Sequence, residues 1–447
     1  MANELQWSAL LSSQRVGQKS SNQHPTDHAE RSEFESDYDR AVFSEPFRRL
    51  AKKTQVHPLA PNDHIHNRLI HSIEVGSVGR SLGKKVQHFL QQRHPEQAQI
   101  FDELALIVQV GCLIHDIGNP PFGHAGEYAI REWLAKHEQL VFYYADGTLR
   151  CDGQTREDLL LFEGNAQGFR LAARRDNPKC GYMRLTYAAL GSMIKYPWAS
   201  DDERAQKQKK FNVFDSEKEL FTEMSTQMGL IRDDGTAARH PLSFLTEAAD
   251  DICYRMLDME DAVAMGIFPE EPIKELFLNI AGSRSPNDTW KPVAMARGEA
   301  INALINESVK VFKDNYKLIM AGERERDLKA DFSEDYKARF KEINEYYTKI
   351  FSHRGKLGYE IGSYKIIGRI IKAFVLSIQS LCEKDNYEEL EYISSRCFDL
   401  AWGEDFTRQN FKQDYDWWLR QTLDYVSGLT DNYAIQISRE IEGVLTP

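Results

Sequence analysis

The chain has 447 residues, 42% hydrophobic and 28% charged, enough to bury a sizeable core and too apolar for a disordered polymer. Its formal net charge of −12 argues against a protein that coats nucleic acid generally, so an anionic ligand must be drawn by a local pocket. The stretch Met1 to Trp7 lacks a basic region followed by an apolar core, and no apolar run is expected to reach bilayer-spanning length; a cytoplasmic protein with no membrane partner is expected.

Residues 1–40 read as a polar N-terminal segment, and within it Ser12 to Asp37 reads as mobile or ordered only by a partner. Asn67 to Val75 reads as a helix that carries His71 beside Leu69, Ile70, Ile73 and Val75. The run from Leu104 to Ile114 is apolar nearly all round, as a buried helix is. It ends at His115-Asp116, because Gly118 and Pro120-Pro121 cannot comfortably continue a helix. Successive helical side chains point about 100° apart, so His115 and Asp116 can converge on one ion only at such an end. With His124 just beyond the Pro-Pro turn, the pattern looks like a metal site.

Further along, Asp146-Gly147 marks a turn between two short extended runs, a candidate hairpin near 141–151. Ser200 to Lys210 is a surface loop on composition. Pro241 opens a helix whose apolar stripe is Leu242, Leu245, Ala249, Ile252 and Met256. On that helix Asp250, Tyr254 and Asp258 recur at i, i+4 and i+8, so one face could present a ligand, an aromatic ring and a second carboxylate to a common cleft. Asp251 adjoins the same stripe and is the alternative ligand; Asp250 is preferred because it shares a face with Tyr254 and Asp258. Gly322 to Lys341 reads as solvated helix and connector. The six cysteines, at 112, 151, 180, 253, 382 and 397, form no close pairs, so neither a zinc ribbon nor a disulfide framework is indicated, and Cys112 and Cys253 read as small core residues. There is no GxxxxGK[ST] loop and no dinucleotide fingerprint, so a glycine-rich phosphate cradle is not indicated.

Five stretches taken in order resemble the motifs of deoxyguanosine triphosphate triphosphohydrolases, a family of the HD-domain metal-dependent phosphohydrolases: FRRLAKKTQV at 47–56, NRLIHS at 67–72, HDIGNPPFGHAGE at 115–127, FEGNAQ at 162–167 and EAADDI at 247–252. The resemblance runs from about Trp7 to about Gly266 and is weaker at LGYEIGSY, 357–364. It departs from the family wording at Asn67 and Ile70, where Thr- or Ser-like residues are expected. It implies an all-α fold, with an HD-domain catalytic core at 41–270 and a helical C-terminal extension at 271–447 packed on it.

The resemblance also implies hydrolysis of a deoxynucleoside triphosphate, dGTP or several dNTPs, at the α-phosphate, with release of deoxynucleoside and inorganic triphosphate. By position, His71, His115, Asp116 and Asp250 match the metal ligands, and His124 and Glu127 match a catalytic dyad. Arg68 matches a phosphate contact; Gln55, Tyr254 and Asp258 match residues around the deoxyribose; Asn165, Lys195, Tyr196 and Lys210 match pocket and phosphate residues. Two imidazoles and two carboxylates suit one divalent ion, Mn²⁺, Fe²⁺, Co²⁺, Ni²⁺ or Zn²⁺, with Mg²⁺ less natural beside histidines. His124 and Glu127 are three apart and can face one another, the carboxylate fixing the imidazole tautomer. The family further implies a homo-oligomer, often a hexamer, and in some members a response to nucleotides or single-stranded DNA. Two other readings compete: an HD phosphohydrolase for a cyclic nucleotide or a nucleoside monophosphate, which would not need the sugar-reading set, and a non-catalytic nucleotide or nucleic-acid sensor, which would not need His124 and Glu127.

Overall fold

The computed structural model describes residues 4–17, 31–55, 65–174, 183–282, 291–352 and 354–444. Its principal helices are α1 (Glu33–Phe43), α2 (Arg68–Arg93), α3 (Leu104–Ile114), α4 (His124–Lys136), α5 (Gly164–Ala173), α6 (Tyr187–Met193), α7 (Ser243–Ala264), α8 (Glu270–Ala281), α9 (Val293–Asp314), α10 (Glu334–Phe351), α11 (Arg354–Cys382), α12 (Tyr415–Gly428) and α13 (Asp431–Ile441). The fold is all-α: among the described residues, β structure is confined to isolated bridges. The hairpin expected at 141–151 is a tight turn with one bridge, Tyr143 to Leu149, and no strand.

Local chemistry explains where the site helices begin. Asn67 caps α2, its side chain accepting from the Ile70 amide at 3.0 Å. The departure from Thr or Ser at this position is therefore neutral, since Asn caps at least as well. Along α3 every residue but Leu106 and Gln109 is buried, so the apolar run is core. It lies against α2 at a spacing that only small residues permit: a Cβ on Gly83 would stand 2.7 Å from Ala105 Cα, and one on Gly79 would stand 2.3 Å from Cys112 Sγ. The stripe of α7 is fully internal, with Leu242, Leu245, Ala249, Ile252 and Met256 all at most 1% exposed. On α2, by contrast, Ile70 and Ile73 face outward at 39% and 51% exposure.

One apolar cluster gathers α2, α3, α6, α7 and α9 with the N-terminal residues Leu5, Trp7, Leu10 and Val16. A second joins residues between Phe122 and Phe214 to residues between Ile367 and Ile437, with Trp418 fully buried in it. The site described below lies where the two meet, because Ile117 belongs to the first cluster and Phe122 to the second.

Three expectations are corrected. Of the segment from Ser12 to Asp37, the described residues 12–17 and 31–37 are tied down: Arg15 bonds Asp37 at 2.5 Å and Glu33 at 2.6 Å, and Ser32 with Glu35 forms a capping box. Charged residues that pair inside a fold look polar in composition. Residues 18–30 lie outside the described residues. The stretch Pro95–Ile114 is long and apolar enough to cross a membrane by length and composition, although its second half is α3, packed on α2 within the core. Ser200 to Lys210 is not all loop, since Asp202 caps a short helix at Glu203–Gln208. Five cysteines are free thiols and Cys112 and Cys253 are buried; Cys180 lies outside the described residues.

His66 clamps the start of α2 to the end of α7. Its Nδ1 lies 2.6 Å from Asp261 Oδ1 and its Nε2 lies 3.3 Å from Glu74 Oε2. Burial alone would lower its pKa, but the hydrogen bonds to Asp261 and Glu74 outweigh burial and hold it at about 10. The folded-state value lies above the unfolded one of about 6.5, so this clamp contributes its full stability below about pH 6.5 and loses it as pH rises through 10. Denaturant midpoints of the wild type are expected to fall between pH 6.5 and 10 more than those of His66→Gln. Parallel pH profiles for the two proteins would contradict this. His57 and His64 lie outside the described residues.

Candidate active site

The end of α3, the first turns of α2 and the middle of α7 converge. His71 Nε2 lies 3.2 Å and His115 Nε2 lies 3.4 Å from Asp250 Oδ1, and one donor atom from each of the three residues falls within a sphere of mutual distances of 4.8 Å. Asp116 adjoins them, its Oδ1 lying 3.6 Å from His115 Nε2 and accepting from the Asn119 side-chain amide, while its Oδ2 accepts from Arg68 at 2.5 Å. Asp251 points elsewhere, held by Arg255 at 2.8 Å and Lys329 at 2.7 Å. The structure thus brings Asp250, not Asp251, to the histidines.

The protonation pattern suits a cation. His115 Nδ1 lies 2.6 Å from the Cys112 carbonyl, which can only accept, so Nδ1 carries the proton. Its Nε2 is buried and has no hydrogen-bond partner among the described residues, yet it faces two carboxylates. Burial works against charge on the His115 ring, while the Asp116 and Asp250 carboxylates raise its pKa. The place therefore calls for positive charge between an imidazole and two carboxylates, which a divalent ion supplies directly. Burial would raise Asp116, but the Arg68 guanidinium and the imidazoles hold it down at about 2. Asp250 is likewise pulled well below its ordinary value against burial, by Lys195 and His115. Both carboxylates are ionised at neutral pH.

Beside this cluster, His124 Nδ1 lies 2.8 Å from Glu127 Oε2, and Glu127 Oε1 accepts from the Gly164 amide at 2.7 Å. Burial would raise Glu127, but the hydrogen bond and charge of His124 bring it to about 2. An ionised carboxylate only accepts, so His124 Nδ1 donates, and in the neutral imidazole Nε2 is the nitrogen with the lone pair. The His124 side chain is 73% exposed.

One cleft of about 330 Å³ adjoins both groups. Of the residues singled out in the sequence, Gln55, Arg68, His115, Asp116, His124 and Glu127 line it, as do Asn165, Lys195, Tyr196, Lys210, Asp250, Asp251 and Tyr254. His71 is 1% exposed and lies behind the wall. Asp258 does not reach the wall either: it is 1% exposed and accepts from Tyr347 at 2.9 Å, while Tyr347 stacks on Tyr254 at 5.0 Å and 7°. The lysines are paired and stay cationic. Lys195 contacts Asp250 at 2.8 Å and Lys210 contacts Glu163 at 3.0 Å; against burial, Asp250 raises the Lys195 pKa, and Glu127 with Glu163 raises that of Lys210. Gln55 Oε1 is buried without a partner among the described residues.

Sequence reasoning missed one wall. Lys356, Tyr359 and Glu360 reach the cleft from α11, about 290 residues beyond the α2 ligand in the chain. The weak similarity at 357–364 was the signal that could have found them. Glu163, the carboxylate that pairs Lys210, was likewise inside a quoted motif without a role.

The HD domain family matches residues 68–161, which hold His71, His115, Asp116, His124 and Glu127. The chain is 38% identical over 467 residues to a deoxyguanosinetriphosphate triphosphohydrolase-like protein of Pseudomonas aeruginosa, covering 99% of this chain and 100% of that one. It is 35% identical to a protein of the same description from Synechocystis, covering 98% and 100%. It is 31% identical to the deoxyguanosinetriphosphate triphosphohydrolase of Klebsiella pneumoniae, covering 92% and 94%.

Proposed function

From the premise that this chain belongs to the deoxyguanosinetriphosphate triphosphohydrolase family of HD-domain proteins, we propose that it hydrolyses deoxynucleoside triphosphates to deoxynucleoside and inorganic triphosphate with a divalent metal. The observation that carries this reading is the junction, in one cleft, of the His71–His115–Asp250 donor set with the His124–Glu127 pair and the cations Arg68, Lys195 and Lys210. His71, His115, Asp250 and the adjoining Asp116 would hold the ion. Such an ion supplies Lewis acidity toward a phosphoryl oxygen and a more acidic water.

The chain's own residues do the rest. Glu127 fixes the His124 tautomer, so Nε2 can take a proton from the attacking water or, once protonated, give one to the departing 5′-oxygen. Arg68, Lys195 and Lys210 bind a polyanionic tail, with Arg68 kept in place by its bond to Asp116. Gln55 Oε1 offers a buried acceptor that a sugar hydroxyl would satisfy. Tyr254, braced face to face by Tyr347, forms a flat wall for the sugar. Asp258 acts behind it, by holding the Tyr347 hydroxyl. The competing readings fit less well: a cyclic nucleotide or monophosphate needs fewer of these cations, and a pure sensor leaves the His124–Glu127 pair without use.

Protein loaded with Mn²⁺ and incubated separately with each dNTP and NTP, with triphosphate, pyrophosphate and phosphate resolved, tests the reading. Inorganic triphosphate with deoxynucleoside is expected; pyrophosphate with a nucleoside monophosphate would overturn it. The sugar wall adds a prediction. A 2′-hydroxyl against Tyr254 strands a polar group or clashes, at about 1–3 kcal/mol. GTP is therefore expected to show kcat/KM lower than dGTP by roughly 10–100-fold, and Tyr254→Ala is expected to shrink that ratio. Equal use of GTP and dGTP by the wild type would remove the sugar-reading role.

A further inference from the structure

Asp431 lies far from every motif of the family, at the start of α13, yet its carboxylate is 3% exposed and accepts three bonds from the walls of the cleft. Oδ2 accepts from the Thr54 amide at 2.9 Å and from the Tyr359 hydroxyl at 2.8 Å, and Oδ1 accepts from the Phe122 amide at 2.9 Å. Thr54 precedes Gln55. Tyr359 is the α11 residue of the wall, and its ring meets Phe122 edge-on at 5.0 Å. Phe122 has φ +69°, a left-handed conformation that a bulky residue keeps only where its surroundings over-determine it. Two residues later His124 begins α4. A second strut runs parallel: the Lys53 ammonium donates to the Asn119 carbonyl at 2.7 Å and the Ser427 carbonyl at 2.5 Å.

We infer that Asp431 is a positioning residue of the cleft, whose carboxylate sets the Thr54–Gln55 wall, the Phe122 bend and Tyr359 in one register, so that the C-terminal helix governs substrate affinity. The kinetic part of this inference rests on the proposed triphosphohydrolase reading; the structural part does not. A carboxylate is needed because all three partners donate. An amide of the same shape would turn an NH₂ toward at least one backbone N–H in either orientation. Charge at this point therefore matters more than volume.

The test is Asp431→Asn in the full-length, Mn²⁺-loaded protein, with Tyr359→Phe as a milder companion that removes one donor and leaves the Phe122 bond in place. Hydrogen exchange at the 50–55 and 119–124 peptides is expected to rise about tenfold in Asp431→Asn, the size of one lost hydrogen bond, while α2 and α7 keep their protection. Bound metal is expected to stay stoichiometric, and KM for dGTP to rise about tenfold with kcat changed far less. Tyr359→Phe is expected to raise KM by a smaller factor and to leave the 119–124 peptide protected, and it carries the test if Asp431→Asn does not fold. Unchanged exchange at both peptides with unchanged KM overturns the inference. Raised exchange in a protein whose wild type releases no triphosphate upholds the positioning role and overturns the function reading instead.

Discussion

Replacing His115 or Asp250 with alanine is expected to remove both the bound divalent ion and hydrolysis, while the helical content of the protein stays essentially intact. Each residue supplies a donor atom to a set whose members lie within 4.8 Å of one another, and His115 Nε2 has no other partner among the described residues. Loss of a Lewis acid worth several kcal/mol in the transition state corresponds to about 10³-fold or more in rate. Metal content by mass spectrometry of the dialysed protein, with turnover of dGTP, measures both. Asp251→Ala is the informative control: its carboxylate is held by Arg255 and Lys329, so metal should remain. Retention of metal and activity in Asp250→Ala, with their loss in Asp251→Ala, would show that the neighbouring aspartate is the ligand.

His124→Ala is expected to lower kcat by about 10²–10⁴-fold, the range for loss of a positioned proton-transfer group, with KM and metal content nearly unchanged. The side chain is exposed to the cleft, makes its bond to Glu127 and is absent from the donor cluster, so its removal disturbs neither ion nor core. Glu127→Gln should follow in the same direction with a smaller loss, because an amide no longer favours the proton on Nδ1. Because the hydrogen bond and charge of His124 hold Glu127 at about 2 against burial, acid loss of activity above pH 4 does not come from protonation of Glu127. A collapse of substrate affinity in His124→Ala, with kcat at saturation unchanged, would make His124 a binding residue.

What could be read from the sequence was local or periodic. The buried α3 follows from an unbroken apolar run ended by Gly118 and two prolines, and the α7 stripe from 3.6-residue spacing. Asp250 could be preferred over Asp251 from its shared face with Tyr254. Position alone placed Lys210 at the cleft, although a Lys-rich run reads as a solvated face; its partner Glu163, fully buried, is what turns it inward. Long-range packing was not legible. Nothing in periodicity tells that α11 brings Lys356 and Tyr359 to the cleft, that Asp258 bonds Tyr347 behind Tyr254, or that Asp431 bonds Thr54 across 377 residues. The N-terminal flank misled for a related reason: Arg15 and Asp37 are polar in composition and internal in the fold, because each neutralises the other.

In the proposed reaction this cleft directs water to the α-phosphorus with the 5′-oxygen as leaving group. Hydrolysis of dGTP by the Mn²⁺-loaded protein in ¹⁸O-enriched water, with mass analysis of both products, tests it most directly. One ¹⁸O is expected in inorganic triphosphate and none in deoxyguanosine. Label in the deoxynucleoside, or release of labelled pyrophosphate or phosphate in place of triphosphate, would contradict it.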